Sequence, residues 1–355
     1  MRKLIIEKAA VKHNLSVIKE KAAGAVIYGV LTGDGGGAGV VPMAKLLRAE
    51  GIGHFAVCEV KDAEKLRQAG FEDEEILMLR ATTDREELER LVDLNVVCTI
   101  SSVDTGLALN ALAENRSTVA CAHIQVDTGM GFGGFLVSEP EKILLAYRSL
   151  PNVALEGIYT QLHGMKPNDP EAAHQLDQFH QVLETIHAAG YETGVVHAAG
   201  SFALLHDDSA RLDGVRAGSA ILGRCRRTRD DRLKTVGYGE APLAEARWLP
   251  KGHSLGTDRP IVLKKATRIA VLPVGYQNGF GVSRPREAGF WALWRRWRRT
   301  RKRTVRIGDQ KARVVGPIGA TETLLDVTNM RCSAGDLATF DIDPIFAKGF
   351  VREFR

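Results

Sequence analysis

No apolar run in the chain approaches the ~18–20 residues that a helix needs to cross a bilayer, so no helical span is expected. Leader features are also scarce. Met1-Arg2-Lys3 is basic, but the apolar stretch Leu4-Ile5-Ile6 stops at Glu7, too short for a signal core. Cytoplasm is therefore the expected compartment. The five cysteines (Cys58, Cys98, Cys121, Cys225, Cys332) are scattered, odd in number and form no CxxC pair. They read as buried or incidental thiols in a reducing compartment, and they suggest neither a disulfide framework nor a zinc site. Acidic residues are nearly missing from one stretch. From Arg284 to Arg306 a single Glu stands among ten Arg or Lys residues, a local charge of +9 in a chain of net +5, so the remainder carries −4. The basic character belongs to that segment alone.

At 355 residues the chain has room for one large domain and a smaller partner, each burying its own core. Short β-branched or apolar runs recur at 25–31, 54–58, 75–79, 96–100, 120–126, 155–159, 195–198 and 215–217. Amphipathic stretches lie between them, among them 60–69, 85–94 and 170–189. Such alternation predicts a parallel sheet. Eight strands within about 220 residues suit a closed (β/α)8 barrel, whose chemistry sits at the C-terminal strand ends, while an open doubly wound sheet has the same local pattern. Beyond about residue 230 the runs 260–274, 304–315, 323–327 and 336–342 alternate apolar and polar positions between Gly and Pro. They predict a β-rich second domain. The expected organisation is thus a TIM-type barrel over 1–230 and a β domain over 231–355, the latter interrupted at about 284–306.

That interruption places Trp291, Trp294 and Trp297 three residues apart with arginines between them. On a helix the tryptophans share one broad face and the arginines lie largely opposite. The tryptophans then pack on their own domain while arginines face water, or the face meets a membrane surface or an acidic protein. Nucleic acid is the weakest alternative, because nothing here resembles a reading module.

Seven short segments, in order, resemble the alanine racemase family. Val26–Arg48 lines up with the segment carrying that family's cofactor lysine, and Asp127-Thr128-Gly129-Met130-Gly131 repeats its D-T-G-M-G run. Leu155–Thr160, His197–Ser201, Asp213–Gly218, Val274–Phe280, and Leu325–Thr328 with Gly335-Asp336 complete the match. The resemblance spans more than 300 residues. It implies the barrel-plus-β architecture, pyridoxal phosphate as cofactor, and a head-to-tail homodimer whose sites are completed by the partner's second domain.

The site residues depart from the family pattern. Thr32 stands at the position of the Schiff-base lysine, and a hydroxyl forms no imine and is a poor base near neutral pH. Gly36 falls at the tyrosine that reaches the cofactor phosphate, Phe132 at an arginine, Gln161 at a histidine and Ala320 at a methionine. Neither Lys45 nor Lys12 is placed to substitute for the lost amine. Other positions are kept. Ser201, with the backbone near Gly218 and Ser219, matches the phosphate cradle. Arg216 matches the arginine facing the pyridine nitrogen, and Tyr276 the catalytic tyrosine. The run Gly33–Gly39 fits neither a Walker loop nor a dinucleotide fingerprint, but it strips side chains from the barrel mouth. His163 and His206 are expected near that mouth, where a lone His is more often structural.

These readings predict no covalently bound cofactor and leave non-covalent pyridoxal phosphate as the alternative. Three function classes follow: a pseudoenzyme or small-ligand-binding protein, a racemase or other isomerase working without a covalent anchor, and a non-catalytic partner of an active racemase.

Overall fold

The computed structural model describes residues 1–163, 169–225, 231–256, 260–282 and 303–355. These form two units: Ala9–Val236, and Gly237–Arg355 together with Met1–Lys8.

The first unit is built on Val26–Val30, His54–Val57, Glu75–Met78, Cys98–Ile100, Ala120–Asp127, Val153–Thr160, Val195–Gly200 and Gly214–Ala217. All lateral pairings among them are parallel. Closure comes from Leu77 bridging Val97, where Met78 N donates to Val97 O and Val97 N to Ile76 O, both at 2.8 Å. The open doubly wound alternative is thereby overturned, because the two strands that would form its edges pair with each other. Each expected strand is found, with ends moved by a residue or two where Gly or a capping residue stops the ladder.

Helices fill the gaps. Val60–Gln68, Arg85–Asp93 and Pro170–Ala188 fall on the expected amphipathic stretches. Asp84 caps the second of these by accepting from Glu87 N at 2.9 Å. Asp169 precedes Pro170 at the first helical position of the third, where the missing N–H has no partner to lose. Inside the barrel Tyr28, Ala56, Leu77 and Val97 pack as one buried layer. Gly157 is required by packing, since a Cβ there would lie 2.6 Å from the His123 ring.

The second unit holds, among its described residues, a nine-stranded sheet. Its spatial order is Glu245–Leu249, Thr267–Leu272, Thr323–Asp326, Gln310–Val315, Thr304–Ile307, Leu337–Asp341, Tyr238–Pro242, Lys3–Ile6 and Val351–Phe354. Leu249, Leu255, Leu263 and Ile269 form one cluster of its core. The sequence reading placed residues 1–8 with the barrel, and this is corrected. Lys3–Ile6 inserts antiparallel to Tyr238–Pro242 and parallel to Val351–Phe354, which satisfies its backbone on both sides. The expected run 304–315 is a hairpin turning at Gly308, whose φ is 57°.

No helix among the described residues is long and apolar enough to cross a membrane. Trp291, Trp294, Trp297 and most of the basic insert lie outside the described residues.

Candidate functional site at the C-terminal end of the barrel

Thr32 follows the first barrel strand and opens a short turn through Gly36. Its backbone is left-handed. Gly33, Asp34, Gly35 and Gly36 have φ of 67°, 56°, 65° and 64°. L-residues with bulky side chains avoid this region, whereas Gly enters it freely and Asp tolerates it. The Asp34 carboxylate accepts from Val40 N at 3.1 Å and lies 3.9 Å from Lys65 Nζ, which ties the turn to the following helices. A Cβ on Gly36 would stand 2.5 Å from Leu222 Cδ1. A tyrosine at this position would be strained by the left-handed backbone and would have to push the Leu222 methyl aside.

Arg216, on the last barrel strand, is buried, and both terminal nitrogens are engaged. Nη1 donates to His197 Nδ1 at 2.7 Å and His197 O at 3.1 Å. Nη2 donates to Thr160 O at 2.6 Å, Gln161 Oε1 at 3.0 Å and Ala198 O at 3.3 Å. A guanidinium only donates, so His197 Nδ1 is an acceptor and the ring proton sits on Nε2. That proton is given to His123 Nδ1 at 3.0 Å, which fixes the second tautomer as well. The Tyr28 and Tyr159 rings lie nearly parallel to His197, with centroids at 5.0 and 4.9 Å. Tyr159 Oη meets Thr99 Oγ1 at 3.0 Å.

Burial and then the Arg216 charge hold His197 well below the usual imidazole range, and the same two causes bring His123 to about 4. Burial lowers Arg216 only to about 10, so it stays cationic at neutral pH. The barrel axis thus carries one positive charge beside two neutral imidazoles.

Ser201 begins the helix Ser201–His206, and its Oγ accepts from Gly218 N at 3.0 Å and Ala220 N at 3.2 Å. The amides facing it are therefore those of Gly218 and Ala220. Ser219 instead turns its hydroxyl toward Cys225 Sγ at 3.8 Å. Gln161 is drawn in as a cap on Arg216, while Phe132 stands 79% exposed on the loop after the fifth strand. Asp127 braces that loop through Gly129 N and Gly131 N, at 2.8 and 3.0 Å.

Lys45 is exposed on the helix Val40–Ala49, and Lys12 pairs with Glu50 at 3.1 Å. His163 lies 3.6 Å from Glu171, and His206 packs against the Phe202 ring at 4.6 Å. In the second unit Tyr276, 53% exposed, sits beside Ala320. Tyr276 N donates to Gly319 O at 2.9 Å and Gln277 N to Ala320 O at 3.0 Å. Among the described residues no three His, Cys, Asp or Glu side chains converge as metal ligands.

The description "Alanine racemase, N-terminal domain" matches residues 6–225, and "Alanine racemase, C-terminal domain" matches 236–342. The chain belongs to the alanine racemase family. The alanine racemase of Carboxydothermus hydrogenoformans is 33% identical over 276 residues, covering 76% of this chain and 74% of its own length. That of Desulfovibrio desulfuricans is 28% identical over 341 residues, covering 93% and 86%. The solved alanine racemase of Clostridium difficile 630 superimposes with a TM-score of 0.87 at 22% identity, over 100% of this chain and 95% of that one. A Bartonella henselae alanine racemase, solved with covalently bound pyridoxal phosphate, gives 0.83 at 20% identity, over 100% and 99%.

Within this family fold, the sequence drew attention to Arg216, Ser201 and the glycine turn. It missed the roles of Tyr28, His123, Tyr159 and His197. Their signal was polar and aromatic residues at inward-facing positions of otherwise apolar strands, a weak cue before register is known.

Proposed function

We propose that this chain is an alanine racemase family member that has lost pyridoxal phosphate-dependent racemisation and serves as a pseudoenzyme or small-ligand-binding protein. The observation that carries this reading is Thr32, a residue without an amine, leading into a left-handed glycine turn at the end of the first barrel strand. The residues present do not fit the cofactor. Arg216 also spends both terminal nitrogens on protein acceptors, and the Gly218 and Ala220 amides donate to Ser201 Oγ.

The test is purification with excess pyridoxal phosphate, borohydride reduction and mass spectrometry. No reduced adduct is expected in the barrel and no yellow internal aldimine in the spectrum. A trapped adduct on a lysine at the barrel mouth, or robust alanine racemisation, would sink the proposal.

The proposal extends to assembly. A homodimer is expected by sedimentation at micromolar concentration, burying well over ~1,000 Å² in total. A monomer would refute it, and co-purification from source cells would distinguish a second copy from an active racemase subunit.

A further inference from the structure

Gln175, on the helix Pro170–Ala188, is buried beside the barrel mouth. Its Oε1 accepts from His163 N at 2.8 Å, which fixes the orientation of the amide, because a flipped amide would set two donors face to face. The other end, Nε2, is fully buried and meets no acceptor among the described residues. An orphaned buried donor is costly and rare, and it points to a partner supplied by another arrangement of its surroundings. The surroundings able to rearrange are the loop 127–134, after the fifth barrel strand. A Cβ on Gly129 would lie 3.6 Å from Nε2, so this loop passes directly over the amide. Gly129, Gly131, Gly133 and Gly134 have φ of 128°, 72°, 90° and 114°. Gly134 is packed at the base, where a Cβ would stand 2.7 Å from Asp127 N. A Cβ on Gly131 would meet nothing within 4 Å, and one on Gly133 would meet Ser101 Cβ alone, at 4.0 Å. The tip therefore has room to move, and it carries the exposed Phe132 ring.

We infer that the loop 127–134 is a two-state lid on the barrel mouth, latched shut when the Thr128–Gly129 peptide turns over and its carbonyl accepts from Gln175 Nε2. The turn exchanges one hydrogen bond for another. Gly129 N leaves Asp127 Oδ1, to which it now donates at 2.8 Å, and Thr128 O gains the buried amide. Gly131 N stays on the Asp127 carboxylate, so the loop pivots on its base without unravelling. Thr128 itself is pinned through its hydroxyl to Thr160 Oγ1 at 2.8 Å, which leaves the peptide after it as the moving element. Turning that peptide reverses the sign of φ at Gly129, and glycine holds both signs at similar cost. Phe132 swings with the tip from solvent toward the mouth, where burial of its ring favours the shut form.

Relaxation dispersion on the full chain, labelled with 15N-glycine and 15N-glutamine, reads the exchange directly. Gly129, Gly131 and the Gln175 side-chain amide should share one process in the microsecond-to-millisecond range. Gln175→Met should abolish it by removing the latch. Gly129→Ala should do the reverse, because a Cβ disfavours the present positive φ and drives the loop shut. In 4-fluorophenylalanine-labelled protein the 19F line of Phe132, assigned by its loss in Phe132→Leu, reports solvent contact through its shift between H2O and D2O. That shift should be lost in Gly129→Ala. A wild-type loop with no shared exchange process, or a Phe132 line in Gly129→Ala as solvent-shifted as in wild type, overturns the inference. Both measurements stand even if Gln175→Met fails to fold.

Discussion

Replacing Arg216 by methionine is expected to destabilise the barrel by about 2–4 kcal/mol, read as a lower denaturation midpoint at pH 7. The side chain fills the barrel axis and donates to the carbonyls of Thr160, His197 and Ala198 as well as to His197 Nδ1. Methionine matches much of the volume and donates nothing. Relief of the buried charge offsets part of the loss, which holds the figure below the sum of the individual hydrogen bonds. Arg216→Lys should recover only part, because an ammonium cannot serve two diverging sets of acceptors as a planar fork does. The loss of the nearby cation should also raise the His197 titration, since its charge is among the causes holding that imidazole down. A midpoint for Arg216→Met within about 0.5 kcal/mol of wild type would show that the network is ornamental.

Thr32→Lys alone is expected to leave alanine racemisation at least about 10³-fold below that of a family enzyme, the scale lost when a catalytic group is misplaced. The new amine would emerge beside Gly33–Gly36, where no residue carries a tyrosine hydroxyl and the left-handed backbone disfavours one. It would face an Arg216 already committed to internal acceptors, and a Ser201 hydroxyl already holding the Gly218 and Ala220 amides. Racemisation by the single variant within tenfold of a family enzyme would show that the missing amine is the whole defect.

Much of the barrel was legible because buried parallel strands appear as short β-branched runs, and a helix between two of them leaves a period that one segment can display. Lys3–Ile6 was not legible as part of the second unit. Its partners, Tyr238–Pro242 and Val351–Phe354, lie more than 230 residues away, and no local pattern encodes such a pairing. Thr304–Val315 read as one run because both arms of the hairpin alternate alike across Gly308. At the site, Thr32 and Arg216 could be placed by their motifs. The stacking of Tyr28 and Tyr159 on His197 could not, since it depends on the registers of four strands at once.

The left-handed turn at Gly33–Gly36 also bears on the history open to this chain. A bulky side chain at Gly33, Gly35 or Gly36 would need the backbone there to reverse hand, and one at Gly36 would also push Leu222 aside. Each single step away from glycine is strained while its neighbours remain left-handed. Selection acting one substitution at a time meets a loss at every first move, so the turn works as a ratchet. Descendants of this chain should vary in loops and surface long before they replace the glycines at residues 33–36.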